Sequence, residues 1–292
     1  MSLKRSTLAI IVILFSGILL AAEASEELRS DWNDFLHYAA IGNLDLSNGF
    51  AQKIIDSNPD PLAILGLVEA DPQGYQILLR AYAASPELKD SAGKILEIAE
   101  QGRFIRRTDP KIIAEEIRRL SSTLRARDDA ERRLKNAGEY AIPMMLEALA
   151  DTDRKAEFAN ITAALPKIGQ SAVRPLTAAL QTSNAAVRTE IVRALGLIGY
   201  GDALGYLKYV VETDTEPLKA EAVAAIGQID TKALKIPSTS LFYDLAVAYY
   251  DHIDSLAPAA DYDYGNIWFW NKETSKLQRV EVSKKYFYEL MA

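Results

Sequence analysis

The chain has 292 residues, a formal net charge of −7 at pH 7, no cysteine and two histidines. Its composition, 49% hydrophobic and 25% charged, is that of a globular protein with a sizeable core. The missing cysteines exclude disulfides, thiolate metal sites and a cysteine nucleophile, and two histidines exclude a three-histidine metal site within one chain. The acidic balance argues against a nucleic-acid partner.

The first 24 residues have the three parts of a secretory signal peptide. Lys4 and Arg5 form a positively charged start, residues 8–22 form an apolar run, and residues 22–24 (Ala-Glu-Ala) form a cleavage site. The run is shorter than the roughly 20 residues of a membrane-spanning helix, and an uncleaved anchor is the alternative. We therefore predict an exported protein, periplasmic or extracellular, with no membrane span after cleavage.

Residues 25–108 are predicted to form an N-terminal region of short helices joined by tight turns. Asp60-Pro61 and Asp71-Pro72 each place a capping side chain directly before a proline, which is well suited to the first helical position. Ser85-Pro86 repeats the signal and predicts a further helix start.

Residues 109–230 repeat a pair of helices. Three similar segments begin at Ala141, Ala172 and Ala203, which are 31 residues apart. Gly138 marks the end of an earlier and weaker unit that starts near residue 109. Repeated pairs of short helices cannot bury their apolar faces alone, so they must stack on one another. The predicted fold class is all-α, an α-solenoid of helix pairs.

The second helices of these pairs share one register. They end at Gly169, Gly199 and Asp230, and apolar residues recur one, four and eight positions before each end. This spacing places the apolar residues on one buried face of a helix. A glycine at the end of a helix favours a left-handed C-cap that reverses the chain.

The repeated pattern, A-(I/V)-x-P…L…(A/V)-L-x-x-(I/L)-G, resembles HEAT repeats of the short bacterial kind, often called phycobilisome-lyase HEAT-like repeats. The likeness covers 109–230 and is best over 141–230. Such repeats usually carry an Asp at the end of the first helix and an Arg in the second, and Asp151 and Arg188 are isolated examples here.

A wider resemblance is to exported bacterial HEAT-repeat proteins of uncharacterised role. It is carried by the repeats together with Trp-Asn-Asp-Phe-Leu-His-Tyr at 32–38, Asn-Ile-Trp-Phe-Trp at 266–270 and Phe-Tyr-Glu-Leu-Met at 287–291. The resemblance implies that the chain is a fragment of a longer protein, because those proteins continue beyond this point.

Residues 231–292 depart from the repeat pattern. Residues 239–256 are predicted to form one more helix, 267–271 and 277–282 the two strands of a hairpin, and 284–292 a final helix. Because an isolated hairpin is only marginally stable, we expect this segment to cap the end of the solenoid.

Polar side chains recur on the second helices nine positions before each helix end and, except at Phe158, eleven positions before it. Second helices usually line the inner curve of a solenoid, so these rows predict contact with a protein or peptide partner. The candidate partner-binding residues are Arg127, Asp129, Asn160, Arg188, Glu190, Arg193, Lys219 and Glu221. They favour a non-enzymatic interaction scaffold of the cell envelope that needs no cofactor.

The hairpin carries a second candidate site. Trp268 and Trp270 lie on one face of a strand because side chains alternate. That face either packs on the solenoid or forms an aromatic platform for a carbohydrate or peptide. The alternative function is therefore a carbohydrate-binding envelope protein.

Two charged segments have two interpretations each. Asp261 and Asp263 precede a glycine and form a weak calcium candidate, although a solvated turn explains them as well. Residues 103–135 carry 11 Lys or Arg against six acids. This basic band either binds an anionic ligand or consists of ion pairs at helical spacing.

No catalytic motif is present in the sequence. His37 is predicted to be a partly buried helix residue, and His252 lies between two aspartates without a candidate nucleophile. We therefore predict that the chain is not an enzyme. The remaining alternative is a lyase-like subunit that attaches a pigment, which the repeat resemblance suggests and the signal peptide opposes.

Overall fold

A computed structural model describes residues 24–260 and 262–292. In these ranges α-helices dominate, and one antiparallel hairpin is the only sheet. The described chain divides into two compact units, one ending at Ile105 and the other beginning at Arg106. This architecture confirms the predicted fold class. Apart from Ala24, the predicted signal peptide lies outside the described residues.

Capping aspartates fix two helix starts in the first unit. The Asp60 carboxylate accepts a hydrogen bond of 2.8 Å from the Leu62 N–H, and that of Asp71 accepts one of 2.9 Å from the Gly74 N–H. The third predicted start is displaced, because residues 86–88 form a turn and the helix begins at Lys89. The helices are α1 (Glu26–Ala40), α2 (Leu44–Asp56), α3 (Pro61–Ala70), α4 (Pro72–Ala84) and α5 (Lys89–Thr108).

The second unit contains the four predicted helix pairs and a C-terminal segment. The pairs are α6 (Pro110–Arg119) with α7 (Leu124–Ala137), α8 (Ala141–Ala150) with α9 (Phe158–Ala164), α10 (Val173–Ala179) with α11 (Ala185–Ile198), and α12 (Leu204–Thr213) with α13 (Leu218–Ile229). The C-terminal segment consists of α14 (Ser238–Tyr250), β1 (Tyr264–Asn271), β2 (Lys276–Ser283) and α15 (Lys284–Met291).

Stacking of the pairs produces two rows of helices. In the first row, α8 contacts α6 and α10, and α14 packs on α12. In the second row, α11 packs on α13 and on the turn that continues α9. The predicted buried face lies between the rows, and its central residues have no exposed surface. They are Ile161, Leu165, Ile191, Leu195, Ala222 and Ile226.

Glycines end three of the second helices with positive φ angles. Gly199 has the left-handed conformation that the sequence predicts, with φ 80° and ψ 18°. Gly138 and Gly169 also have positive φ, but their ψ angles are −130° and −153°. Helix α9 is only seven residues long. Pro166 lacks the N–H of a regular helix, and the chain continues there as a 3₁₀ turn.

The hairpin lies along the side of the solenoid. Its strands pair with Asn271 opposite Lys276 around the predicted four-residue turn. Strand β1 packs on α10, and β2 packs on α8 and α10. The expectation that the hairpin covers the end of the array is therefore wrong in position, because the chain after α14 folds back over the first helices of earlier pairs.

Within the described ranges, no helix is both long enough and apolar enough to cross a membrane.

Candidate functional site

The predicted partner-binding residues on α11 and α13 form an ion-pair network. The Arg193 guanidinium lies 2.9 Å from the Glu190 carboxylate on its own helix and 2.5 Å from the Glu221 carboxylate on the next second helix. The hydrogen bond from Arg193 lowers the pKa of the Glu221 carboxyl. The network connects two adjacent pairs, and the Arg193 side chain remains about half exposed.

Arg188 connects the same pairs at the other end of α11. Its guanidinium donates two hydrogen bonds to the Asp214 carboxylate, at 2.9 and 2.7 Å. A paired fork of this kind holds two planar groups in a fixed orientation. Asp214 follows α12, so Arg188 fixes the turn between α12 and α13.

The other predicted residues are distributed along the array. Arg127 donates from Nε to the Leu120 carbonyl at 2.8 Å, and Asn160 donates to the Ser121 hydroxyl at 3.0 Å. Asp129 accepts from Arg132 at 2.6 Å, and Lys219 lies exposed on α13. The predicted set therefore forms a polar surface along the second helices and does not converge on one cavity.

A buried carboxylate holds the hairpin on the repeats. Both oxygens of Glu139 accept hydrogen bonds, one from the Asn266 amide at 2.6 Å and one from the Trp268 indole N–H at 2.7 Å. Asn266 also donates to the Tyr140 hydroxyl and accepts from Arg279 at 2.8 Å. Because Glu139 and Asn266 are buried, this network orients the hairpin on the solenoid.

The two tryptophans face the repeats. Trp268 and Trp270 are partly buried and pack against the core of the second unit, whereas Phe269 on the opposite face of β1 is 39% exposed. The sequence left two interpretations of this strand open, and the structure agrees with the one in which the tryptophan face packs on the solenoid.

The remaining sequence candidates are dispersed. Asp263 is exposed, and its carbonyl accepts the Lys284 N–H, while Asp261 lies outside the described residues. His37 is exposed, contrary to expectation, because it points away from the buried face of α1. His252 is also exposed and stacks on the Tyr288 ring at 4.4 Å.

The basic band contains ion pairs within α6 and between α6 and α7. Arg118 pairs with Glu115 at 2.5 Å, and the buried Glu116 carboxylate accepts from both Arg119 and Arg133. These contacts correspond to the interleaved charges of the sequence.

The second unit also contains a cavity of about 710 Å³ that no sequence motif predicts. It lies between α10, α12, α14 and strand β1, and six of its lining residues are aromatic. We call it the aromatic groove. Its aromatic residues are Tyr206, Tyr209, Phe242, Tyr249, Trp268 and Phe269.

A glycine allows one wall of the aromatic groove to form. The Phe242 ring packs edge-on against Tyr206, with ring centroids 4.9 Å apart. A Cβ atom at Gly205 would lie 3.0 Å from the Phe242 ring, so a larger residue on α12 would displace that ring. Burial raises the pKa of the Tyr206 hydroxyl, which hydrogen-bonds to Thr177.

Charged groups of opposite sign line both ends of the aromatic groove. Arg188 and Asp214 lie where α10 and α12 end. Arg174 and Asp202 lie near the starts of these helices, and burial raises the pKa of the Asp202 carboxyl while the Arg174 charge opposes that rise. The Arg174 guanidinium also lies over the Phe287 ring at 5.0 Å. The groove thus has an apolar centre and internally balanced charges at its ends.

Comparison with known families supports the repeat assignment. Residues 142–227 match the HEAT repeats family, a stretch that runs from α8 into α13. Residues 142–227 of the second unit are therefore similar to HEAT repeats, which commonly serve as scaffolds for protein interactions. No curated protein matches the chain.

Proposed function

We propose that this protein is a non-enzymatic interaction scaffold of the cell envelope, and that its HEAT repeats hold a protein or peptide partner. The observation that carries the proposal is the stacked array itself, which presents a polar second-helix surface and an aromatic groove on one folded unit. The Arg193 and Arg188 ion pairs support this role, because they fix the spacing of adjacent pairs.

The test is cross-linking of the full chain in intact cells, followed by mass spectrometry. We expect the reversal variant Arg188→Glu/Glu190→Arg/Glu221→Arg to lose most of its cross-linked partners. The matched control is Glu115→Arg/Arg118→Glu, which swaps an exposed pair on α6 and should keep them. Unchanged partners in the reversal variant would contradict the scaffold.

Export is part of the same proposal and has its own readout. The sequence of residues 1–24 supports cleavage before Ser25. Mass spectrometry of the protein from the envelope fraction should give a mature N-terminus at Ser25, and an intact Met1 in the membrane fraction would indicate a retained anchor.

The carbohydrate alternative is tested on the same material. Phe269 and the 54% exposed Tyr209 are the aromatic side chains that a sugar could reach most directly at the groove. Binding of envelope glycans, detected by tryptophan fluorescence and lost in Phe269→Ala, would favour that function over a peptide partner. A chromophore bound to the purified protein would instead support the lyase-like alternative.

A further inference from the structure

We infer that the aromatic groove is the partner-binding site, and that its ligand is a short extended peptide segment with apolar side chains and no charge at its centre. This inference rests on the proposed scaffold function and assigns it a place and a ligand chemistry. The groove lies on the first-helix side of the repeats, and among the predicted second-helix residues only Arg188 lines it.

The dimensions of the groove suit a short segment of extended chain. Helix α12, which forms one side, has ten residues and is therefore about 15 Å long. An extended chain advances about 3.3 Å per residue, so four or five residues span that length. The volume of about 710 Å³ lies within the range of known ligand sites.

The charged residues of the groove are already paired with one another, and this favours a ligand whose central side chains are uncharged. Arg188 and Asp214 neutralise each other through two hydrogen bonds, and Arg174 faces Asp202 at the other end. A charged ligand side chain at the centre would lose its hydration among aromatic rings and find no unpaired opposite charge. An uncharged centre avoids that cost.

The walls favour a peptide over a sugar. A sugar carries hydroxyls around its whole ring, and each would need a partner when buried. Between its charged ends the groove is lined chiefly by aromatic rings and by aliphatic side chains such as those of Val210 and Leu245, and Thr177 there already hydrogen-bonds to Tyr206. Apolar peptide side chains can occupy this centre, while hydroxyl and amide groups of Thr182, Thr213 and Gln181 near one end can bond to peptide backbone.

The test selects ligands without assuming a sequence. The purified full chain is used to select from a phage-displayed library of random heptapeptides. We expect the selected peptides to carry Phe, Tyr, Trp, Leu or Ile at their central positions and to lack Asp, Glu, Lys and Arg there. A library without enrichment, or peptides with central charges, would overturn the inference.

The location is tested with a pair of tyrosine variants. Tyr209 lines the groove and is 54% exposed, and Tyr243 on α14 is 70% exposed and outside the groove lining. Binding of a fluorescent selected peptide should weaken about tenfold or more in Tyr209→Ala and remain unchanged in Tyr243→Ala. Equal binding by both variants, with unchanged circular dichroism, would overturn the assignment.

The two proposals fail in different ways. If the charge-reversal variant loses cellular partners while Tyr209→Ala keeps both partners and peptide, the scaffold stands and the groove is the wrong site. If the selected peptide binds in the groove but neither variant changes the cross-linked partners, the scaffold function fails, and the assignment of the groove as its partner-binding site fails with it.

Discussion

At the residue scale, the glycines that end second helices are not equivalent. Gly199 has the left-handed conformation, which other residues can adopt at a cost of about 1–2 kcal/mol. Gly169 has φ 83° and ψ −153°, a region that is essentially restricted to glycine. A Cβ atom at either position would meet no atom within 4 Å, so the difference between the two sites lies in the backbone alone.

We therefore expect Gly169→Ala to lower the free energy of unfolding more than Gly199→Ala, by about 2–3 against about 1 kcal/mol. Urea denaturation followed by circular dichroism measures both variants against the parent protein. Equal losses would show that the chain relaxes at position 169.

The Trp268 indole gives a second prediction at this scale. Trp268→Phe removes the donor of one Glu139 oxygen, and a buried carboxylate oxygen without a partner costs about 1–3 kcal/mol. Trp270→Phe is the control, because Trp270 also packs on the core, but its indole N–H has no hydrogen-bond partner among the described residues. Urea denaturation should show the larger loss for Trp268→Phe, and a larger loss for Trp270→Phe would contradict the assigned role of Glu139.

Asp202 makes the stability of the groove dependent on pH. Its pKa in the folded protein lies above the ordinary value of 3.8, so the folded state binds the proton more tightly than the unfolded chain. The stability from this group is complete below that value and is lost as pH rises through the folded pKa. Asp202→Asn stays neutral and should therefore be more stable than the parent at pH 7.

Denaturation at a series of pH values checks this expectation. The advantage of Asp202→Asn over the parent should shrink as pH falls toward 3.8. A variant that is less stable at pH 7 would show that the interaction with Arg174 outweighs the cost of burial.

At the element scale, close approach of α11 and α13 depends on Gly196. A Cβ atom there would lie 2.8 Å from the Ala225 backbone, so Gly196→Leu should force the two second helices apart and cost several kcal/mol. Gly227→Ala is the control, because that position is open and alanine favours a helix by about 0.8–1 kcal/mol. Thermal unfolding should therefore shift in opposite directions for the two variants, and a shift in the same direction would contradict this packing.

Most elements could be predicted from local signals. Asp-Pro pairs, glycines at helix ends and a 31-residue period predict the helix pairs, and two strand-forming runs about a four-residue turn predict the hairpin. Local signals misplaced a helix boundary where a nearby residue favoured a different helix end. Ser85 follows α4 as its C-cap, so the next helix starts later, and Pro166 shortens α9.

The candidate site was less predictable, because it depends on contacts between distant segments. The row that contains Glu190 and Glu221 was found by its period, and both residues lie on adjacent second helices as expected, where Arg193 pairs with each. The aromatic groove combines residues of α10, α12, α14 and β1, which no period relates. The aromatic residues Tyr206 on α12 and Phe242 on α14 were visible in the sequence. Only their packing in the structure shows that both line the same cavity.

At the scale of the whole molecule, the contacts of the hairpin affect how cooperatively the repeats unfold. In a simple array each pair contacts only its neighbours, so the array can unfold from one end. Here the hydrogen bond between Asn266 and Glu139 joins residues 127 positions apart, and it connects the last segment to the turn between the first and second pairs of helices. Because this contact bypasses the later pairs, we expect the second unit to unfold more cooperatively than a simple array.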